Sequence, residues 1–311
     1  MLGFRRYTVM RMTVYRLQII HQKGEKMKKK KKIILACMLL TIAVLAGCGQ
    51  KSPSRDTNTA AEAAYMDFLN GKGEVIVSEG LKEETVTYDL VINSDKYTYE
   101  TLKAAVSEKE GTGSIPQYCF IELTGDTVNE MLLRFNAENE IFFNWTGVFT
   151  YKDGTIFLTD FYDDGGRVFA EFYDTGYLRI GGSSGAGAYG YTLNGFTDDA
   201  RLSPIFTENN YYSNYATMVA YDLTNNEQGL TDDYDDLSYG SMLLVREYIR
   251  NGEVKISVSD WSEDSAVRAR ENEMVNDLIG LGAEMISEEK MDEYTSLKAY
   301  ESAVVVWNDI N

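Results

Sequence analysis

The chain has 311 residues, of which 30 are basic and 48 acidic, and 44 % are hydrophobic. This hydrophobic content is enough for a buried core and excludes a wholly disordered chain. Residues 1–47 hold 11 of the basic residues and one acidic residue, which leaves 19 basic and 47 acidic residues, a net charge of −28, over residues 48–311. Because such a field repels phosphate backbones, we expect no nucleic-acid partner.

Residues 27–47 have the organisation of a secretory signal peptide. Five lysines at 28–32 precede an apolar run at 33–46, whose 14 residues are too few for a membrane-spanning helix. The sequence Leu-Ala-Gly-Cys at 45–48 resembles the lipobox of bacterial lipoproteins, which implies that Cys48 is lipidated and begins the mature chain. We therefore expect a protein held by this lipid on the extracytoplasmic face of the cell membrane, with an uncleaved anchor helix as the alternative. Residues 1–26 are expected to be an upstream extension from a misplaced start codon.

Processing at Cys48 would leave a mature chain with one free thiol and no imidazole. Cys37 leaves with the signal peptide, and Cys119 lies in an apolar run that is typical of a buried position. The single histidine, His21, lies in the leader, which excludes Ser-His-Asp and Cys-His catalysis and His-ligated zinc. A carboxylate-based glycosidase needs no histidine and stays open.

The first part of the mature chain is predicted to be a tether followed by a helical and extended segment. Residues 48–58 are small and polar, as expected of a tether between the lipid and the fold. Within 59–115, Thr59 and Glu62 resemble a capping box that starts a helix, and Asn70-Gly71 ends it. Extended pieces at 75–77 and 85–91 follow, and then a helix at about 98–110.

Residues 116–311 are predicted to form a β-rich domain with C-terminal helices. Runs of alternating polarity at 131–135, 141–146, 155–162, 167–173, 177–180 and 189–196 are separated by short turns, which indicates an antiparallel meander. Residues 207–240 are predicted to be loop-rich, followed by a strand at 254–258, helices at 263–281 and 288–300, and a closing strand at 303–307. The short connections argue against parallel crossovers. The predicted fold class is therefore α+β, an antiparallel β-meander sheet flanked by N-terminal and C-terminal helices.

Two glycine patterns between residues 181 and 190 match catalytic motifs by spacing alone. The run 181–185 fits a nucleophile elbow, but the mature chain offers its serine no histidine. The run 185–190 fits a dinucleotide motif, which requires a following helix, whereas a strand-like sequence follows here. We interpret this stretch as a flexible glycine loop between strands and assign no catalytic residue.

One segment carries a motif with metal chemistry. Residues 120–131, FIELTGDTVNEM, resemble the Asp-rich loop of FG-GAP/VCBS-type repeats (FIDLTGDGVPEL) found in lipoproteins of gut Firmicutes, a family without an assigned activity. The resemblance implies a calcium site with Glu122, Thr124, Asp126 and Glu130 as ligands. Thr127 replaces the glycine of the sharp turn, a position that β-branched residues tolerate poorly. A degenerate loop and no cofactor are therefore predicted, with calcium as the alternative.

Five tyrosines are candidates for a ligand-binding platform that stacks on sugar rings, namely Tyr189, Tyr191, Tyr211, Tyr212 and Tyr215. The alternative is ordinary packing in a half-buried strand. We predict a non-catalytic, lipid-anchored surface protein that binds or supports an extracellular ligand such as a glycan or cell-wall component. The alternatives are a carboxylate-based glycan hydrolase and the solute-binding lipoprotein of a transporter. Two inward-facing carboxylates on neighbouring strands would favour the hydrolase, whereas a concave aromatic cleft without them would favour binding.

Overall fold

The computed structural model describes residues 55–82, 94–110, 116–136, 144–185, 187–212, 237, 241–300 and 303–310. The signal peptide, Cys48, most of the predicted tether and the predicted strand at 85–91 lie outside the described residues. Within them, two seven-stranded sheets and the helices packed on them confirm the α+β class with antiparallel meanders.

The first sheet has the strand order β14-β3-β4-β5-β6-β1-β2. Its strands are β1 (Val75–Val77), β2 (Lys96–Tyr97), β3 (Gln117–Ile121), β4 (Glu130–Phe135), β5 (Asn144–Lys152), β6 (Thr155–Asp164) and β14 (Asn308–Asp309). The run from β3 to β6 is the predicted meander, and β1 joins β6 in parallel.

The second sheet has the order β13-β12-β11-β10-β9-β8-β7. Its strands are β7 (Val168–Phe172), β8 (Leu178–Gly185), β9 (Ala188–Phe196), β10 (Leu202–Tyr212), β11 (Leu244–Arg250), β12 (Glu253–Ser259) and β13 (Glu284–Met285). Strands β7 to β12 form a second meander, and β13 pairs with β12 in parallel. The sequence predicted one antiparallel meander sheet, whereas the structure divides the strands between two antiparallel-rich sheets, each with one parallel pair.

Helices α1 (Arg55–Leu69) and α2 (Tyr99–Glu110) pack on one face of the first sheet. Apolar residues at helical spacing, such as Phe68 of α1 and Leu102 of α2, are fully buried with Trp145 of β5. Helix α1 begins before the predicted capping box. Its residues Asn58 and Glu62 accept hydrogen bonds from the backbone and side-chain nitrogens of Asn129, at 2.9 and 2.8 Å, which ties α1 to the turn before β4.

The two sheets meet through their other faces. Leu132 and Val148 of the first sheet belong to one buried cluster with Phe172 and Leu178 of the second sheet. Cys119 lies in the same cluster, where burial raises its pKa to about 12. This confirms the prediction of a buried thiol, and the raised pKa keeps it in the unreactive protonated form.

The second sheet is covered unequally. Helix α3 (Ser265–Gly280) buries Met274 and Leu278 against Val245 and Ile256, on the same face that contacts the first sheet. Helix α4 (Glu288–Tyr294) and the residues that follow it cover only part of the opposite face, around Phe206 and Tyr248. Among the described residues nothing covers the part of that face that forms the groove described below.

Several other boundaries differ from the sequence prediction. The supposed glycine loop at 181–190 is divided between β8 and β9, and the supposed loop-rich segment begins with the last six residues of β10, which ends at Tyr212. Helix α4 ends at Tyr294 rather than near residue 300. The closing strand is β14 at Asn308–Asp309, and within 303–307 only Val304 forms a bridge, to Tyr173.

Candidate binding groove on the second sheet

The open face of the second sheet carries two cross-strand rows of side chains. Gly181, Tyr191, Glu208 and Tyr248 lie opposite one another on β8 to β11, and the next row starts at Ser183 and ends at Arg246. Because alternate residues of a strand face the same side, the rows lie side by side. Where α4 leaves these rows uncovered, Tyr191, Glu208 and Arg246 line a groove of about 710 Å³, within the range of small-ligand sites.

An arginine held against two aromatic rings forms one end of the groove. The Arg179 guanidinium carbon lies 4.2 Å from the centre of the Tyr191 ring and 5.1 Å from that of Phe169. Its Nη1 atom donates to Glu171 Oε2 at 3.2 Å. These contacts hold the guanidinium in place, because each cation–π contact contributes about 0.5–2 kcal/mol. Tyr189 lies nearby and is 50 % exposed.

The glycine run of β8 allows this close packing. At Gly181 an added Cβ would lie 2.6 Å from Phe169 Cζ, from Tyr191 Cβ and from the backbone oxygen of Gly190. Real Cβ atoms do not come that close, so only glycine lets the two rings approach each other across β8. The run that matched a catalytic motif by spacing therefore provides the floor of the groove.

A buried carboxylate with an arginine partner lies in the middle of the groove. Glu208 is 6 % exposed, and its Oε1 atom accepts from Arg246 Nη2 at 3.0 Å and from Nε at 3.3 Å. Arg246 Nη1 also donates to Asp292 Oδ1 of α4 at 2.5 Å. The charge of Glu208 is thus compensated by an arginine that α4 fixes.

The Tyr191 hydroxyl is held in its protonated form. It donates to the backbone oxygen of Thr295 at 3.2 Å. Burial raises its pKa well above the ordinary range, and the negative charge of Glu208 raises the pKa further. Tyr191 therefore offers a ring face and a hydrogen-bonding hydroxyl rather than a phenolate nucleophile.

The groove-lining residues that the structure describes include two carboxylates. Glu208 comes from β10 and Glu288 from the first turn of α4, whereas β9 and β11 contribute no acidic side chain to the lining. The pattern that would favour a hydrolase, two inward-facing carboxylates on neighbouring strands, is therefore not found among them.

The structure separates the five predicted tyrosines. Tyr189 and Tyr191 line the groove, and Tyr212 lies on the same face, close enough to raise the pKa of Tyr189 together with burial. Tyr211 is buried on the opposite face, where its hydroxyl lies 3.5 Å from Glu247 Oε2. Tyr215 lies outside the described residues.

The carboxylates of the predicted calcium loop bind the loop's own backbone. Glu122 Oε1 accepts from the backbone nitrogens of Thr124 at 3.0 Å, of Gly125, and of Asp126 at 3.1 Å. Asp126 Oδ1 accepts from the nitrogen of Val128 at 2.8 Å. Both carboxylates thus stabilise the turn through backbone hydrogen bonds, and Oγ1 of Thr124, another predicted ligand, is buried without a hydrogen-bond partner among the described residues.

Glu130, the remaining acidic candidate, is 1 % exposed and points into the protein. Its oxygens accept from the Leu123 nitrogen at 2.8 Å and from the Thr150 hydroxyl at 3.2 Å. Among the residues the structure describes, no three His, Cys, Asp or Glu side chains are grouped to hold a metal ion. Whether calcium binds stays a prediction.

Thr127 takes up a strained conformation in the turn. It adopts the left-handed backbone conformation, with φ 69°, two residues after Gly125 with φ 80°. The turn thus forms with a β-branched residue at this position, at a strain cost of about 1–3 kcal/mol.

Comparisons with known proteins identify no related protein. No protein-family model, curated protein or solved structure matches the chain. In the described part of the chain, no helix has both the length and the apolar character needed to cross a bilayer. The site therefore defines the protein only by class, as a two-sheet α+β protein with an open aromatic and cationic groove.

Proposed function

We propose that the protein is a non-catalytic binding protein, anchored outside the cell membrane by a lipid on Cys48, whose groove holds a carbohydrate. The observation that carries the proposal is the exposed Tyr189 ring beside the fixed Tyr191–Arg179 pair, on a concave face with several polar groups. Sugar rings present apolar C–H faces and many hydroxyls, which suit aromatic surfaces flanked by hydrogen-bonding groups.

Binding fits the groove better than hydrolysis does. Glycoside hydrolysis uses two carboxyl groups on either side of the scissile bond, one protonated and one ionised in most families. Glu208 already accepts both Nε and Nη2 of Arg246, and the Tyr191 hydroxyl donates to a carbonyl. These contacts fix the groups in place and leave them without a free acid–base role.

The test is a glycan-array and calorimetry comparison with the full chain purified in detergent. Tyr189→Ala should weaken binding about tenfold, because a lost ring contact removes about 0.5–1.5 kcal/mol together with the buried apolar area. The matched control is Val306→Ala, which truncates an 81 % exposed side chain outside the groove lining and should leave affinity unchanged.

Two results would contradict the proposal. One is equal affinity of the Tyr189→Ala variant and the unaltered chain for every glycan retained on the array. The other is release of new reducing ends from a bound glycan, provided that Glu208→Gln abolishes it, since this would show that the groove is catalytic.

A further inference from the structure

The charges of the groove are separated between its two ends. Arg167, just before β7, and Arg179 of β8 line the end at the sheet edge. Arg246 of β11 and Glu288 of α4 line the other end, where Asp292 also pairs with Arg246. One end is thus cationic and the other acidic.

The cationic end has capacity for a further anion. Arg167 is exposed, and the ion pairs of the described groove residues involve Arg179 and Arg246 but not Arg167. Arg179 binds Glu171 through Nη1, and that carboxylate is 45 % exposed and also accepts from the Tyr173 hydroxyl at 3.0 Å. The Arg167 guanidinium therefore has no ion-pair partner among the described residues, and the exposed Glu171 carboxylate compensates the positive charge of Arg179 only in part.

This end is unusual for a chain of this charge. Residues 48–311 carry 47 acidic and only 19 basic residues, yet three arginines line one groove with two carboxylates. Since Glu208 pairs with Arg246 and the half-exposed Glu171 pairs with Arg179, the positive charge that remains at this end of the groove is that of Arg167. A planar guanidinium matches a carboxylate, with which it can form two parallel hydrogen bonds.

We infer that the ligand is an acidic glycan, with a sugar ring on Tyr189 and Tyr191 and its carboxylate between Arg167 and Arg179. This inference rests on the proposed function and specifies its substrate class. Carboxylate-bearing sugars include those of uronic-acid polysaccharides and the lactyl-substituted sugar of peptidoglycan strands without stem peptides, and the groove chemistry is the same for both.

The test compares matched pairs of oligosaccharides that differ in the carboxylate. Oligogalacturonate is paired with galacto-oligosaccharide of equal length, and a muramic-acid fragment with the corresponding chito-oligosaccharide, each titrated into the full chain in detergent. We expect the acidic member of at least one pair to bind about tenfold more tightly or better, the effect of one charge-assisted hydrogen bond. The pair that shows the preference identifies the source.

Variants then locate the carboxylate. Arg167→Ala should remove the preference for the acidic member of the pair, and Arg167→Glu should reverse it. Since Arg167 is exposed, both variants should fold, which the melting midpoint verifies. The control is Arg268→Ala on α3, where the arginine contacts Trp261 at 4.2 Å, away from the groove.

The outcomes separate this inference from the proposed function. If the acidic and neutral members bind with equal affinity and Tyr189→Ala abolishes the binding of both, the acidic ligand is overturned and the sugar-binding groove is supported. A carboxylate preference that survives in Arg167→Glu would also overturn it. Absence of binding to all four sugars would overturn the acidic ligand, and binding that is indifferent to Tyr189→Ala would overturn both.

Discussion

Glu130 should make the stability of the fold depend on pH in an unusual direction. Burial raises its pKa from 4.5 to about 8, and the nearby charges of Asp126 and Glu122 add to the rise, whereas the hydrogen bonds from Leu123 and Thr150 lower it. Between pH 4.5 and 8 the unfolded chain has lost this proton and the folded chain keeps it. The free energy of unfolding therefore falls as pH rises through this window, and levels off above about pH 8.

The size of the effect follows from the pKa change. One pKa unit corresponds to 1.36 kcal/mol, so the full change between pH 4.5 and 8 has an upper limit of roughly 5 kcal/mol. In Glu130→Gln the side-chain carbonyl can accept from the Leu123 nitrogen, and the amide can donate to the Thr150 hydroxyl. This variant never ionises, so it should gain stability relative to the unaltered chain, by a few kcal/mol, as pH rises from 5 to 8.

Urea unfolding of both proteins at pH 5, 6, 7 and 8 measures this difference. Because all other carboxylates titrate in both chains, the difference between the two curves isolates Glu130. Glu263→Gln, at an exposed position before α3, is the control and should stay parallel to the unaltered chain. Parallel curves for Glu130→Gln would refute the reasoning, since they would mean that Glu130 titrates alike in the folded and unfolded states.

Three further predictions concern the anchor, the loop and the groove floor. Cys48→Ala should abolish incorporation of a palmitate analogue, and undiminished label would contradict the lipobox interpretation. About 1 mM calcium, compared with chelator at matched ionic strength, should leave the melting midpoint unchanged. A rise of several degrees that disappears in Asp126→Ala would show a calcium site. Gly181→Val should destabilise the protein by about 1–3 kcal/mol in urea unfolding because its side chain would overlap Phe169. Gly280→Ala, where an added Cβ meets nothing within 4 Å, should be neutral or stabilising, and equal effects would contradict the packing argument.

The local hydrophobic pattern was enough to predict helices and strands whose apolar residues recur at a regular spacing. Leu102 and Val106 stand four residues apart in α2 and are both fully buried, as the helical spacing predicted. Tyr189 and Tyr191 share one face of β9, as strand alternation requires, and they are two of the five tyrosines that the sequence offered as candidates.

The middle of β10 could not be recognised from local pattern. Glu208, Asn209 and Asn210 read as a polar loop, because Asn and Glu have low strand propensity. In the fold all three are at most 6 % exposed, and their partners come from distant positions, such as Glu247 for Asn209 at 2.7 Å and Arg246 for Glu208. The central carboxylate of the groove was missed because its partner lies 38 residues away.

The glycines of β8 were misread for a related reason. A glycine run has no side-chain alternation, so its sequence cannot be distinguished from a flexible loop. At Gly181 the missing side chain makes room for rings on β7 and β9, which only the paired sheet brings together. The strand is defined by its neighbours rather than by its own residues.

Exposed aromatic rings alone do not define a binding site, since scattered apolar side chains are normal on protein surfaces. Here the Phe169 and Tyr191 rings contact a guanidinium that Glu171 also holds, and α4 fixes Arg246 and with it Glu208. The side chains of the groove are therefore ordered before any ligand arrives. Ordering a rotamer-rich side chain on binding costs about 0.5–1.5 kcal/mol of conformational free energy. Arg179 and Arg246 are already ordered by their contacts in the folded protein, so a ligand does not have to order them. Arg167 has no ion pair or ring contact with the described residues, so it is the groove arginine that a ligand would have to order.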